Sequence, residues 1–154
     1  MIELDDIDKQ IIAHLQENAR ISNREIAKRV GLTATPTIER VKRLEREGVI
    51  KGYTVVLEKE KVGKGMTVFV KVTLSVHQMS LLDDFIEAVR GIPEILSCYH
   101  TTGQSDFLFH VVATDIADYE RLLRDKLTTL PDVQRLETTM VLRAIKEGGY
   151  IPTS

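Results

Sequence analysis

Apolar residues near the start of the chain recur every three to four positions, which is the spacing of one face of an α-helix. The pattern predicts a helix over about residues 5–18, with an apolar side made of Leu4, Ile7, Ile11 and Leu15. A second helix is predicted over about 23–30, because Ser22 and Glu25 have capping-box spacing and Gly31 can end a helix.

A third helix is predicted over about 34–47. Thr33 can cap it, Pro36 is tolerated in its first turn, and Gly48 can end it. On a helical wheel, the side expected to pack on the other two helices consists of Ala34, Ile38, Val41 and Leu44. Three short helices with a glycine-containing turn between the last two are typical of a helix-turn-helix domain.

The segment after the third helix changes character twice. Residues 49–57, VIKGYTVVL, predict a turn and a strand that packs beside the helices. Residues 58–65, EKEKVGKG, are charged and contain glycine, which favours a linker. The chain is therefore expected to consist of an N-terminal domain over 1–57, a linker over 58–65 and a second domain over 66–154.

The hydrophobic pattern of the second half alternates, as in β-strands. Ser80 and Asp115 are expected to cap the two helices that interrupt the strands, and the inner side of the later helix consists of Ile116, Tyr119, Leu122, Leu123 and Leu127. The order β-α-β-β-α-β predicts a ferredoxin-like domain and an α+β fold class. Strands are predicted over 66–76, 94–102, 107–114 and 133–145, and helices over 80–91 and 116–129.

Two helices on one face of a four-stranded sheet leave the other face bare. An apolar bare face in a chain of this size usually packs on a second copy, so a homodimer is expected.

Composition narrows the class of protein. The chain has 154 residues, of which 43% are hydrophobic and 29% charged, as in ordinary globular proteins. Its single cysteine, Cys98, excludes an internal disulfide and favours a reducing compartment, so a cytoplasmic location is expected. The sequence shows neither a signal peptide nor an apolar run long enough to span a membrane.

The charge is distributed unevenly. Residues 20–51 carry nine basic and four acidic side chains, a net charge of +5. Residues 66–154 carry eight basic and twelve acidic side chains, a net charge of −4. The asymmetry predicts an anionic partner for the N-terminal region alone.

The third helix has the residue types of a DNA recognition helix. Such a helix enters the major groove N-terminus first, so small threonines suit its start and arginines suit phosphates or guanine edges further along. A solvated charged face is the simpler reading of this helix alone, but the charge, the turn and the following segment occur together. Arg43 is expected opposite the packed side. Binding to double-stranded DNA is predicted for Ser22, Asn23, Thr33, Thr35, Pro36, Thr37, Glu39, Arg40, Lys42, Arg43, Arg46 and Lys51.

The chain closely resembles, nearly end to end, the leucine-responsive regulatory protein/AsnC family of bacterial and archaeal transcription regulators. The resemblance is carried by LDDIDKQIIAHLQENARIS, EIAKRVGLTATPTIERVKRLEREGVIKGYTVVL and TTGQSDFLFHV. The sequence departs from the family at Ala34, where relatives often carry proline.

The resemblance implies a winged helix-turn-helix followed by a ligand-sensing βαββαβ domain. It also implies homodimers that assemble further, often into octamers, and a small-molecule effector, typically an amino acid, bound between sensing domains. The family's glycine-x-x-aspartate turn matches Gly103 to Asp106. The effector residues implied are Thr101, Thr102, Gly103, Gln104, Ser105 and Asp106 and, by approximate register in the last strand, Thr138, Thr139 and Met140.

The chemistry of the turn agrees with an amino acid effector. Asp106 can accept from an ammonium group, and a glycine turn lets backbone N–H groups approach a carboxylate. From the residues alone, GQSD is also an ordinary hairpin turn, for which Gly, Ser and Asp are common choices.

Two other classes of protein remain open from the sequence. An enzyme would need a catalytic group, but Ser97 and His100 point to opposite faces of their predicted strand, and no catalytic motif is present. Cys98 is expected to be a small buried residue. No catalytic residue, cofactor or metal site is predicted, because the histidines lack metal-ligand spacing: His14, His77, His100 and His110. The other class is an architectural DNA-binding protein that ignores small molecules.

Overall fold

The computed structural model describes residues 3–75 and 79–153. The chain divides into two compact units. The first unit comprises Met1–Val55 together with Ile145–Ser154, and the second comprises Val56–Ala144. The last ten residues therefore group with the N-terminal helices, whereas the sequence analysis assigned them to the second domain.

Three helices form the first unit: α1 (Asp6–Glu17), α2 (Asn23–Val30) and α3 (Ala34–Arg46). They pack around a small apolar core that contains Ile11, Ile12, Ile26, Val41 and Leu44. The Ser22 hydroxyl accepts from the Glu25 N–H at 3.2 Å, which confirms Ser22 as the cap of α2. The reciprocal capping box lies instead at the start of α1, between Asp5 and Asp8.

The start of α3 differs from the sequence prediction. The Thr33 side chain makes no capping hydrogen bond, so its predicted role as a side-chain cap is wrong. Ala34 is exposed and Ile38 is half-buried, whereas Thr37 is fully buried with Val41 and Leu44. The packed side of α3 follows the spacing i, i+4, i+7 from Thr37, so it is rotated from the predicted side.

The predicted strand over 49–57 is absent from the described structure, because residues 51–58 have no regular secondary structure. Val55 and Val56 leave 78% and 89% of their surface exposed. The segment has β-strand residue types, but no strand among the described residues pairs with it, and an unpaired strand is not stable in water.

The C-terminal segment is held to α1 by a pair of hydrogen bonds. The Gln16 side chain donates to the Ile151 carbonyl at 3.0 Å and accepts from the Ile151 N–H at 2.8 Å. A side-chain amide that satisfies both backbone groups of one residue acts as a short substitute for strand pairing.

The second unit contains a four-stranded antiparallel sheet with strand order β2-β3-β1-β4. The strands are β1 (Met66–Leu74), β2 (Ile95–His100), β3 (Phe107–Ala113) and β4 (Val133–Met140). The helices are α4 (Met79–Arg90) and α5 (Ile116–Leu122), and α5 continues as a π-helical turn over Leu123–Leu127. The predicted βαββαβ order and the α+β class are confirmed.

One face of the sheet packs on the two helices, and the side chains that alternate out of it form the core. Val68, Val70 and Val72 of β1 are fully buried on this face, as are Phe109 and Val111 of β3. The opposite face, which we call the open face, carries Phe69, Lys71, Thr73, Leu108 and His110, among others. Phe69 and Lys71 are exposed on it, whereas Thr67 and Val112 at its end are buried.

Several local predictions for the second unit need correction. Helix α4 begins at Met79, so Ser80 lies inside its first turn rather than at its cap. Asp115 does cap α5, but Ile116 is 57% exposed because burial begins only at Tyr119. Strand β4 ends at Met140 rather than 145. Val76, predicted at the end of the first strand, and His77 lie outside the described residues.

Residues 58–65 are tied to the second unit. They contain a 3₁₀ turn over Glu60–Val62. Lys59 donates to Thr67 at 3.2 Å, and Lys64 pairs with Asp118 at 3.5 Å. These contacts order a segment whose composition favoured a linker.

Candidate DNA interface and effector site

The N-terminal end of α3 presents small polar residues at the surface. Thr33 and Thr35 are exposed, Pro36 is half-buried, and the Gly31 turn that precedes them adopts φ 72°, which favours glycine. Further along the helix, Glu39, Lys42 and Arg46 are exposed. This arrangement places slim hydroxyls at the start of the helix and basic side chains beyond them, as a recognition helix requires.

The remaining candidates of the first unit lie on adjoining elements. Ser22 is exposed at the start of α2 with Asn23 beside it, and Lys51 is exposed after α3. Tyr53 donates to Glu45 at 2.8 Å. Burial and this carboxylate raise the pKa of Tyr53 to about 12, so the phenol stays neutral and fixes the segment that follows α3.

Two arginines of α3 are engaged with α1. Arg40 donates to Asp8 at 2.8 Å and to Asp5 at 2.6 Å, and Arg43 donates to the second Asp8 oxygen. Only 1% of the Asp8 side chain is exposed. The Asp8 N–H and the Arg40 guanidinium hold the pKa of Asp5 below its usual value. The expectation that Arg43 lies opposite the packed side is wrong, because its guanidinium reaches back to α1.

Thr37 is not available to DNA in this fold. It is completely buried, and its hydroxyl donates to the Thr33 carbonyl at 2.9 Å. The hydroxyl therefore satisfies the first turn of α3, so the prediction that Thr37 contacts bases or phosphates is wrong.

The two threonines can be separated by experiment. We expect Thr37→Val to lower the free energy of unfolding by about 1 kcal/mol, because a buried hydrogen bond is lost. We expect Thr35→Val, at an exposed position two residues earlier, to leave stability within about 0.5 kcal/mol and to weaken DNA binding. Urea unfolding followed by circular dichroism and a mobility-shift titration measure the two effects. Equal loss of stability in both variants would contradict the assignment.

The second candidate site is the turn between β2 and β3. Thr101 donates from its backbone to the Asp106 carbonyl at 2.8 Å and from its hydroxyl to the Ser105 carbonyl at 3.0 Å. Asp106 donates from its N–H to the Val72 carbonyl, and its carboxylate accepts from the Leu74 N–H, both at 2.8 Å. Gly103 adopts φ 117°, a conformation that side chains disfavour. The turn is thus fastened to the end of β1.

A hollow of about 260 Å³ opens beside this turn. It is lined by Lys71 and Thr73 of β1, by Arg135 and Glu137 of β4, and by Thr102, Gln104 and Ser105 of the turn. Lys71 pairs with Glu137 at 3.1 Å, and Arg135 pairs with the same carboxylate at 3.3 Å. The hollow therefore brings three of the predicted effector residues close to the ion pairs of Lys71, Arg135 and Glu137 on the open face.

Sequence reasoning missed the four strand residues of the hollow. Alternation along β1 places Lys71 and Thr73 on the open face, but their neighbours on β4 depend on strand register. The register pairs Lys71 with Glu137 and Thr73 with Arg135.

The other predicted effector residues lie elsewhere within the chain. Thr138 and Met140 pair with Val70 and Val68, so they lie on the helix-covered side of the sheet. Thr138 shares a hydrogen bond of 2.6 Å with the Tyr119 hydroxyl. Thr139 lies on the open face opposite Phe69. One chain therefore does not bring these three residues into the hollow.

The groups considered for catalysis are dispersed. Cys98 is exposed rather than buried, because β2 is an edge strand. His100 stacks on Phe107 with ring centroids 4.9 Å apart. Among the residues that the structure describes, no three His, Cys, Asp or Glu side chains are arranged to hold a metal ion. None of the described helices is long and apolar enough to cross a membrane.

Family models match both units of the chain. Residues 4–51 match a winged helix-turn-helix DNA-binding domain, and residues 67–151 match the Lrp/AsnC ligand-binding domain. The leucine-responsive regulatory protein of Klebsiella pneumoniae is 39% identical over 149 residues, which cover 97% of this chain and 91% of that protein.

Solved structures show the same architecture over nearly the whole chain. A transcriptional regulator from Neisseria meningitidis, in complex with L-Met, superimposes with a TM-score of 0.92 at 34% identity, covering 97% of both chains. An AsnC family transcriptional regulator from Agrobacterium tumefaciens superimposes with a TM-score of 0.92 at 30% identity, again with 97% coverage of both chains. The predicted family resemblance is confirmed.

Proposed function

Because the chain belongs to the Lrp/AsnC family of DNA-binding transcription regulators, which are not enzymes, we propose that it binds specific DNA sites and responds to an amino acid. The observation that supports specific DNA recognition best is the exposed start of α3, where Thr33 and Thr35 precede Lys42 and Arg46. The domain that follows is a ligand-binding domain, which calls for a small-molecule effector.

The proposed DNA contacts divide into two groups. Residues that reach bases or phosphates come from α3 and its surroundings: Ser22, Asn23, Thr33, Thr35, Pro36, Glu39, Lys42, Arg46 and Lys51. Arg40 and Arg43 act instead by holding α3 against Asp8 of α1. A dimer would present two such helices, so a roughly palindromic site is expected.

The proposed effector contacts centre on the turn from Thr101 to Asp106. The similar regulator from Neisseria meningitidis is in complex with L-Met, which supports an amino acid as the class of effector. Since Thr138 and Met140 lie on the other face of the sheet from the hollow, they would reach an effector bound there only from another subunit. Their proposed role as effector contacts therefore requires an effector bound between sensing domains.

We propose that the chain forms a homodimer and higher assemblies such as an octamer, in the cytoplasm. The open face of the sheet carries exposed Phe69 and Tyr99 near Leu108, and a second copy is the expected cover for them. An effector that prefers one assembly would change DNA affinity by a coupling of about 1–3 kcal/mol.

A mobility-shift titration tests the whole proposal. The protein is titrated on its own upstream DNA at one fixed salt concentration, with and without each of the twenty amino acids, beside unrelated DNA of equal length. A preference for the upstream DNA that one amino acid changes is the expected result. Equal binding to both DNAs, unaffected by every amino acid, would favour an architectural protein.

The DNA-contacting side of α3 can be tested through the dependence of binding on salt. In the double variant Lys42→Gln with Arg46→Gln, we expect the slope of log K against log salt to fall by about 1.8, because two phosphate contacts are lost. The matched control is Arg121→Gln with Arg124→Gln, which removes the same charge from exposed positions of the second unit. The groove assignment fails if both double variants change the slope equally.

A further inference from the structure

We infer that the hollow on the open face binds an amino acid with an acidic side chain, such as L-glutamate or L-aspartate. The inference rests on the proposed function, because it names the chemical class of the effector at that site. It is supported by the set of charged side chains that line the hollow and by the sequence in which they lie next to one another.

No apolar side chain is among the described residues that line the hollow. Its lining consists of two cationic side chains, one anionic side chain, and the hydroxyl and amide groups of Thr73, Thr102, Gln104 and Ser105. Small-molecule pockets in proteins begin at about 300 Å³, so about 260 Å³ suits a small metabolite. An alkyl side chain such as that of leucine would gain little here, because apolar stabilisation requires apolar surface to be buried.

The three charges lie in a fixed order. Glu137 stands between Lys71, which is its partner across β1 and β4, and Arg135, which lies two residues away on the same face. One Glu137 oxygen pairs with Lys71 at 3.1 Å, and the other pairs with Arg135 at 3.3 Å. The hollow therefore presents a cation, an anion and a second cation in a row, with a net charge of +1.

An acidic α-amino acid carries the complementary set. It has two carboxylates and one ammonium group, so both cations and the anion of the hollow can each find an opposite charge. A neutral amino acid has only one carboxylate, so one of the two cations would lack a partner on the ligand. A dicarboxylate without an amino group has no ammonium group to offer to Glu137. Charge-assisted hydrogen bonds of this kind are stronger than neutral ones, so the mismatches lower affinity.

The side chains can exchange partners at small cost. Lys71, Glu137 and Arg135 keep 51%, 47% and 71% of their side-chain surface exposed. Exposed ion pairs of this kind contribute little to stability, so a ligand that replaces them gives up little existing stability. The turn is better fixed, because Asp106 fastens it to Val72 and Leu74.

Isothermal titration calorimetry of the full chain tests the inference with L-glutamate, L-aspartate, L-glutamine, L-leucine, L-methionine and glutarate. We expect L-glutamate or L-aspartate to bind at least about tenfold more tightly than L-glutamine, leucine or glutarate. Glutamine and leucine lack the side-chain carboxylate, and glutarate lacks the ammonium group. In Arg135→Gln, the preference for glutamate over glutamine should disappear. The control Arg121→Gln removes an exposed arginine elsewhere in the second unit and should keep the preference.

The outcomes separate this inference from the proposed function. Tightest binding of leucine or methionine, unchanged in Arg135→Gln, would overturn the acidic class and leave an amino-acid-responsive regulator in place. Glutarate binding as tight as that of glutamate would overturn recognition of the ammonium group by Glu137. If no amino acid binds while upstream DNA is still preferred, both this inference and the effector part of the proposed function fail.

Discussion

Replacing Asp8 by alanine is expected to destabilise the DNA-binding unit by about 2–3 kcal/mol. The Asp8 carboxylate is buried and accepts from Arg40 and Arg43. Its removal takes this partner from Arg43 and leaves Arg40 with Asp5 alone. Breaking a buried ion pair costs about 3–5 kcal/mol, and the partly exposed arginines recover some of this from water. The same variant also loses half of the capping box of α1.

Amide hydrogen exchange resolves this effect within the first unit. We expect exchange in α1 and α3 to accelerate by roughly 30- to 150-fold, because exchange follows the local free energy of opening. The matched control is Asp6→Ala in the same turn, whose side chain is 92% exposed and pairs with Lys9 at 3.6 Å. That control should change stability by no more than about 0.5 kcal/mol. If Asp8→Ala behaves like the control, these ion pairs do not hold α3 in place.

The same contacts alter how mutations of α3 are interpreted. Arg43→Ala would remove an ion pair to Asp8 as well as a positive charge from the DNA-binding unit. A loss of DNA affinity in that variant would therefore not identify a phosphate contact. Lys42 and Arg46, which are exposed, are the sharper choices.

Local signals in the sequence predicted the elements well. Ser22 before α2, Gly31 after it and Asp115 before α5 occupy the predicted cap positions. Each cap involves residues three or four positions apart, so composition and spacing suffice to find it. The hydrophobic pattern of the second half likewise predicted that the segments of β1 and β3 form strands.

Contacts between distant parts of the chain were the limit of sequence reasoning. Asp8 pairs with arginines 32 and 35 residues away along the chain, and no local pattern in the sequence predicts these ion pairs. The hollow depends on the register of β4 against β1, which is set by pairing rather than by composition. Residues 49–57 fail for the same reason, because their pattern is that of a strand but a strand forms only where a partner strand is available.

The second large effect is expected when Asp106 is replaced, because its carboxylate binds the backbone of β1. It accepts from the N–H of Leu74, a residue only 5% exposed, and the Asp106 backbone is bonded to Val72 and Thr101. We therefore interpret Asp106 as a residue that positions the turn rather than as the main partner of an effector ammonium group. Glu137, at the lining of the hollow, is better placed for that role.

We expect Asp106→Ala to lower the stability of the second unit by about 1–3 kcal/mol, because a buried N–H loses its acceptor, and to abolish the effector response in the mobility shift. Asp106→Asn keeps an oxygen that can accept from Leu74, so both stability and response should be largely retained. Asp125→Ala, which removes an exposed carboxylate paired with Arg124, is the control for charge. Thermal unfolding and the effector-dependent shift are measured on the same preparations. If Asp106→Asn keeps its stability but loses the response, the negative charge itself contacts the effector, and the positioning role is wrong.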